Sequence, residues 1–209
     1  MPGCDKPQEN RTETALNGID ARAALRREKI AEREALPPRE HARRSDALAA
    51  HLAALLVRLQ PKVLGFCWPI RGEFDCRPLV ARLIAEATRA CLPMVTEPDA
   101  AMDFREWRPG CAMLTDRYGI HYPAAGAALH PEVLLMPVNA FDGSGFRLGY
   151  GGGYFDRTLA ALTPRPLAVG LGFELARVAS TQPGPYDIAL DAVVTEEGLE
   201  VFSNRISNP

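Results

Sequence analysis

Residues 133–173 read VLLMPVNAFDGSGFRLGYGGGYFDRTLAALTPRPLAVGLGF. Val133 to Val138 is a nearly unbroken apolar run, the pattern of a strand buried on both faces. A glycine-dense loop follows, and a helix is expected from about Tyr154 to Leu162. Leu167 to Phe173 is a second buried strand. Strand, loop, helix and strand in this order imply an α/β fold with a mostly parallel sheet covered by helices.

The flanking sequence continues the pattern. Val63 to Trp68 reads as a buried strand and Pro69 to Phe74 as a loop. Asp75 is placed to cap a helix carrying Leu79, Val80, Leu83 and Ile84. Leu92 to Thr96 and Phe104 to Trp107 are further strands, and 108–131 reads as an irregular connection. Ala189 to Thr195 and Leu199 to Phe202 close the chain as short strands.

Upstream, Leu48, Leu52, Leu55, Leu56 and Leu59 recur on one face of a helix opened by Pro37-Pro38. Ala21 to Leu36 is Ala-, Arg- and Glu-rich without Gly or Pro, with Asp20 as a candidate N-cap. Residues 1–19 are polar and are expected to form a mobile tail, leaving 20–209 as a single domain.

The chain has 209 residues, 47% hydrophobic and 24% charged, which suits one globular domain and excludes wholesale disorder. A formal net charge of −2 argues against general attraction to nucleic acid or anionic membrane. The segment 22–44 holds eight Lys/Arg against four Glu but lacks interleaved aromatics, so nucleic-acid binding is not expected. Five cysteines (Cys4, Cys67, Cys76, Cys91, Cys111) include no C-x-x-C pair and are expected to be isolated, mostly buried thiols. Without a signal peptide or a long apolar stretch, the expected location is the cytoplasm. No membrane partner is expected, and a monomer is favoured.

Five of the nine residues from Gly145 to Gly153 are glycine, against 17 in the whole chain. Between a strand and a helix N-terminus, such a loop lets backbone N–H groups converge on an anion, and the helix dipole adds to the attraction. The blander alternative is a tight turn with glycines for packing. No Lys-Ser or Lys-Thr follows as a Walker A loop requires, and Tyr154 stands where G-x-G-x-x-G needs its third glycine. Asp142 likewise breaks G-x-S-x-G around Ser144. A phosphate site is thus indicated without the common nucleotide or hydrolase signatures.

RLGYGGGYFDR, preceded by MPVNAFD, resembles the signature of 5-formyltetrahydrofolate cyclo-ligases, or methenyltetrahydrofolate synthetases. The resemblance extends to the basic helix, GEFDCRPL, LPMV, FREWRPG and the final D-x-V-V-T-E, and covers about residues 20–196. It implies a three-layer α/β/α, Rossmann-like fold. It also implies ATP-driven, Mg²⁺-dependent conversion of 5-formyltetrahydrofolate to 5,10-methenyltetrahydrofolate, with release of ADP and phosphate. A paralogue that binds nucleotide or folate without this turnover is the alternative.

The resemblance also assigns residues. Arg22, Arg26, Arg147, Leu148, Gly149, Tyr150, Gly151, Gly152, Gly153, Tyr154 and Phe155 would hold ATP, with Arg147 and Tyr154 in catalytic roles. Trp68 and Glu73, with Tyr150 through Tyr154, would face the folate, and Asp156 and Asp191 would bind magnesium. The residue types suit these tasks. A carboxylate can accept paired bonds from a pterin's amino and ring N–H groups, and Mg²⁺ commonly takes one or two carboxylates plus phosphate oxygens. At about 100° per residue, Arg22, Arg26, Lys29 and Arg33 form one basic stripe. Arg22 stands where the family usually has Lys, Phe155 where it often has Tyr, Tyr186 where it often has His, and His121 where it often has Pro.

Overall fold

The structure is a computed structural model that describes residues 8–206, with side chains described from residue 21. Seven strands form one sheet: β1 (Val63–Gly65), β2 (Arg89–Met94), β3 (Asp103–Trp107), β6 (Val133–Pro137), β9 (Leu167–Leu171), β10 (Ala192–Thr195) and β11 (Gly198–Val201). Their order is β11-β10-β9-β6-β1-β2-β3. β10, β9, β6, β1 and β2 run parallel, and β3 and β11 add antiparallel edges.

Each central strand divides its side chains between two cores, as a period of two requires. Val133 and Leu135 of β6 pack on one face, with Leu48, Leu52, Leu55 and Leu56 of α2 (Pro38–Leu59) and Leu79 and Val80 of α3 (Arg77–Ala85). Leu134 and Met136 point to the other face, where Leu159 of α4 (Tyr154–Ala161) sits with Phe104, Val138 and Val193. The three-layer α/β/α architecture follows from these two cores. Among the described residues no helix is long and apolar enough to cross a membrane.

Four local expectations change. α1 (Gln8–Glu34) is already helical well before Asp20, so Asp20 lies inside it rather than at its N-cap position. A polar helix start without proline is only weakly disfavoured, and its lone Gly18 costs about 1 kcal/mol. The expected tail falls partly on residues 1–7, outside the described residues, as does Cys4. The N-cap of α3 is Cys76, and Asp75 serves it from one residue earlier by accepting the Arg77 N–H at 3.0 Å.

The connection 108–131 contains a hairpin, β4 (Met113–Thr115) and β5 (His121–Pro123), with Asp116 Oδ1 accepting the N–H groups of Tyr118 and Ile120 at its tip. Strands of three residues are too short to show an alternation. Cys67 and Trp68, finally, lie beyond the end of β1. Cys76 and Cys91 are buried free thiols, whereas Cys67 and Cys111 are only half-buried.

Candidate active site

The chain leaves β1 toward β2 on one side and later places β6 on the other, so the carboxyl ends of β1 and β6 form a topological switch point, the place where such sheets open a crevice. That switch point is where α/β sheets take ligands. Trp68 and Glu73 follow β1, and the glycine loop follows β6 after a small ribbon, β7 (Ala140–Phe141) with β8 (Arg147–Leu148). The two segments singled out in the sequence therefore meet at one place in the fold.

The basic stripe of α1 lies against this loop. Arg26 donates from Nε to the Gly149 carbonyl at 2.6 Å, and its guanidinium rests over Gly151. Gly151 has φ of +96°, which favours glycine, and a Cβ there would meet the Arg26 Cζ at 3.3 Å, a tight contact that the guanidinium would have to yield to. Burial, reinforced by the charge of Arg22, lowers the pKa of Arg26.

Arg22 instead pairs with Asp187 at 2.7 Å. Burial pushes Asp187 up, but the Arg22 hydrogen bond, the Gly184 N–H and the charges of Arg22 and Arg147 hold it below its ordinary value. Gly153, at φ +65°, is the N-cap of α4, whose first-turn amides face the same loop.

At the other end of the crevice Glu73 is 9% exposed. Its Oε1 accepts the Tyr150 hydroxyl at 2.6 Å and its Oε2 the Ile70 N–H at 3.0 Å. Burial pushes its carboxyl up, and Tyr150, Ile70, Arg33 and Arg71 oppose that shift. Trp68 is half-buried, with the Arg77 guanidinium 4.2 Å over its ring and His121 edge-on at 5.5 Å. The β4–β5 tip reaches the glycine loop, where the Tyr118 and Tyr154 hydroxyls are 2.8 Å apart.

The model of the 5-formyltetrahydrofolate cyclo-ligase family matches residues 19–196. The chain belongs to that family. It is 34% identical over 132 residues to the 5-formyltetrahydrofolate cyclo-ligase of Escherichia coli K12, covering 59% of this chain and 72% of that protein. Identity to the Mycolicibacterium smegmatis enzyme of the same name is 28% over 187 residues, 84% of this chain and 93% of that one.

The NMR structure of Aquifex aeolicus 5,10-methenyltetrahydrofolate synthetase superposes with a TM-score of 0.75 at 26% identity, covering 87% of this chain and 92% of that one. The Mycoplasma pneumoniae synthetase shares the fold at 23% identity, with a TM-score of 0.68, covering 84% and 98%.

Within this cyclo-ligase fold the two aspartates differ. Asp156 Oδ1 accepts Arg147 at 3.1 Å and the Ile188 N–H at 3.0 Å, while among the described residues its Oδ2 accepts nothing. It fits a cation shared with phosphate oxygens. Asp191 does not fit. It is 1% exposed, and its oxygens accept the Ala168 N–H at 2.8 Å, Arg205 at 2.8 Å and Arg165 at 3.5 Å. A cation there would have to displace two guanidinium groups, so the expected pairing of Asp191 with Asp156 finds no support in this geometry.

Arg147 is buried, bonded to Asp156 and to the Ile188 carbonyl at 2.7 Å, which places it behind the carboxylate rather than open to phosphate. Phe104 and Trp107 of β3 are core residues. Phe155 packs at the edge of the second core, and Tyr186 is 88% exposed. The sequence reading left Arg33, Asn139 and Asp187 without a site role, and the structure draws all three toward the site. The basic stripe was a signal for Arg33. Asn139 lies within the MPVNAFD stretch, but only tertiary packing brings it to Arg33, 106 positions away in the chain.

Proposed function

We propose that the chain converts 5-formyltetrahydrofolate to 5,10-methenyltetrahydrofolate with ATP and Mg²⁺, releasing ADP and phosphate. One observation carries this reading: α1, the glycine loop and the buried Glu73 converge at one place in the fold. Membership of an ATP-dependent ligase family supports the use of ATP.

The formyl oxygen is a poor leaving group until it is phosphorylated. It attacks the γ-phosphorus, the bond to the β,γ-bridging oxygen breaks, and ADP leaves. N10 of the folate then attacks the activated carbon, the ring closes, and phosphate departs as N10 loses its proton. No side-chain nucleophile is needed; the work is alignment and charge stabilisation.

Arg22 and Arg26 meet the polyphosphate, and the backbone of Gly149–Tyr154 cradles it. Binding frees Arg22 from Asp187. Glu73 accepts from the pterin, and Trp68 and Tyr154 bracket the folate. A magnesium ion, when bound, neutralises phosphate charge. Asp156 would hold it, oriented by Arg147, and Asp191 keeps a structural role. The isolated thiols support a cytoplasmic setting.

The test is the growth of methenyltetrahydrofolate absorbance in purified protein. Growth that requires 5-formyltetrahydrofolate, ATP and Mg²⁺ together is the expected result. ATP binding without growth would leave a nucleotide-binding paralogue with a shifted substrate.

A further inference from the structure

Beneath the Glu73 end of the crevice lies a buried cluster that none of the steps above uses. Arg33, near the end of α1, is 4% exposed. It donates from Nε to the Arg71 carbonyl at 3.0 Å and from one terminal nitrogen to Asn139 Oδ1 at 2.9 Å. The other terminal nitrogen reaches the Tyr150 hydroxyl at 3.2 Å and lies 3.8 Å from Glu73 Oε1. A guanidinium has five N–H donors and no acceptor, so every neighbour must present an oxygen. That requirement fixes Asn139: its Oδ1 faces Arg33, and among the described residues its buried Nδ2 has no partner. A fold that leaves an amide N–H orphaned to keep an oxygen on Arg33 is constraining where that guanidinium sits.

We propose that Arg33 is a positioning residue for folate recognition, holding Glu73 ionised and aimed through its charge and through the Tyr150 hydroxyl. The inference rests on the reading of Glu73 as the pterin acceptor. The groups that face Glu73 are Arg33 from α1, Arg71 from its own loop, Tyr150 from the glycine loop, and the thiols of Cys67 and Cys76. Burial pushes both thiols up, so they stay neutral. Burial and the neighbouring Glu73 carboxylate push the Tyr150 phenol well above its ordinary value, so it donates rather than ionises. Arg71 is held by Glu34 on the surface, at 2.8 and 2.9 Å, where solvent screens it. Arg33 is therefore the cation that acts on Glu73 from a poorly solvated position.

The sign follows directly. Glu73 takes a proton as pH falls through its raised pKa, and a protonated carboxyl puts an O–H where the pterin needs an acceptor. Removing Arg33 raises that pKa further, so folate use fails at a higher pH.

The experiment measures kcat/KM for 5-formyltetrahydrofolate against pH, at saturating ATP and Mg²⁺, with KM for ATP and Tm alongside. Arg33→Met should move the acid limb up by about one pH unit, a loss of about tenfold on that limb. It should leave KM for ATP near wild type above the limb, and Arg33→Lys should restore much of the wild-type profile. A lowered Tm with an unmoved limb would make Arg33 a mere anchor of α1 and overturn the proposal. If Arg33→Met does not fold, Tyr150→Phe removes the hydroxyl between Arg33 and Glu73 while leaving the Arg33 bonds to the Arg71 carbonyl and Asn139 in place; an unmoved limb there overturns the proposal equally. Glu73→Gln separates the two readings. An unchanged folate KM in that variant overturns the pterin assignment and the proposal with it, whereas a raised folate KM beside an unmoved Arg33→Met limb overturns the Arg33 proposal alone.

Discussion

At the scale of single residues, similar chemistry in different surroundings yields different roles. Asp156 and Asp191 are both carboxylates beside arginine, yet one keeps an oxygen open and the other is enclosed by Arg165, Arg205 and the Ala168 N–H. Asp156→Asn keeps an oxygen for Arg147 and the Ile188 N–H but loses the charge, so the fold should persist. Turnover at limiting Mg²⁺ should fall by at least about tenfold, since even outer partners of a metal site are worth 10–100-fold. Asp191→Asn should behave the other way. It leaves two buried-facing guanidinium groups short of an anion and should cost about 1–3 kcal/mol in urea denaturation, with the Mg²⁺ dependence of turnover unchanged. A shifted Mg²⁺ requirement in Asp191→Asn would return that residue to the metal site.

At the scale of elements, what could be read in advance depended on how local the cause is. The stripe Leu48, Leu52, Leu55 and Leu56 marks α2 because helical periodicity is written in neighbouring residues, and all four are buried. Leu52→Ala should cost about 2–5 kcal/mol in the same denaturation assay. The β4–β5 hairpin left no such trace, since its strands are three residues long. The glycine loop was legible through composition, while the arrival of Arg33 and Asn139 beside Glu73 and Tyr150 was not, because only tertiary packing joins them.

Within the loop, two glycines separate backbone need from ligand need. A Cβ on Gly149 meets nothing within 4 Å, whereas Gly151 is held at φ +96° against Arg26. Gly149→Ala should therefore raise the KM for ATP while leaving Tm unchanged, because only an approaching phosphate would meet the new methyl group. Gly151→Ala should lower Tm slightly as well, since a side chain at positive φ costs about 1–2 kcal/mol. An unaltered KM for ATP in Gly149→Ala would mean the phosphates do not approach that position.

At the scale of the whole molecule, α1 is the element whose seating depends most on the ligand. Of its residues 21–34, Ile30 is the only buried apolar side chain among those described. The rest of its attachment is polar: Arg22 to Asp187, Arg26 to the Gly149 carbonyl, and Arg33 to Asn139 and Tyr150. Few buried apolar contacts and many polar ones describe an element that opens at low free-energy cost. Two of the cations that seat it, Arg22 and Arg26, are also the ones proposed to meet polyphosphate, so nucleotide and helix should stabilise one another reciprocally. Hydrogen exchange of the α1 amides should then be faster than that of α2 in the free protein, and should slow when a non-hydrolysable ATP analogue and Mg²⁺ are added. At 100 times the Kd, binding linked fully to α1 docking would add about 2.7 kcal/mol of protection, a slowing of about 100-fold. Slowing confined to the glycine loop and α4, with α1 unaffected at saturation, would show that the phosphates are held without the basic helix and would remove Arg22 and Arg26 from the nucleotide site.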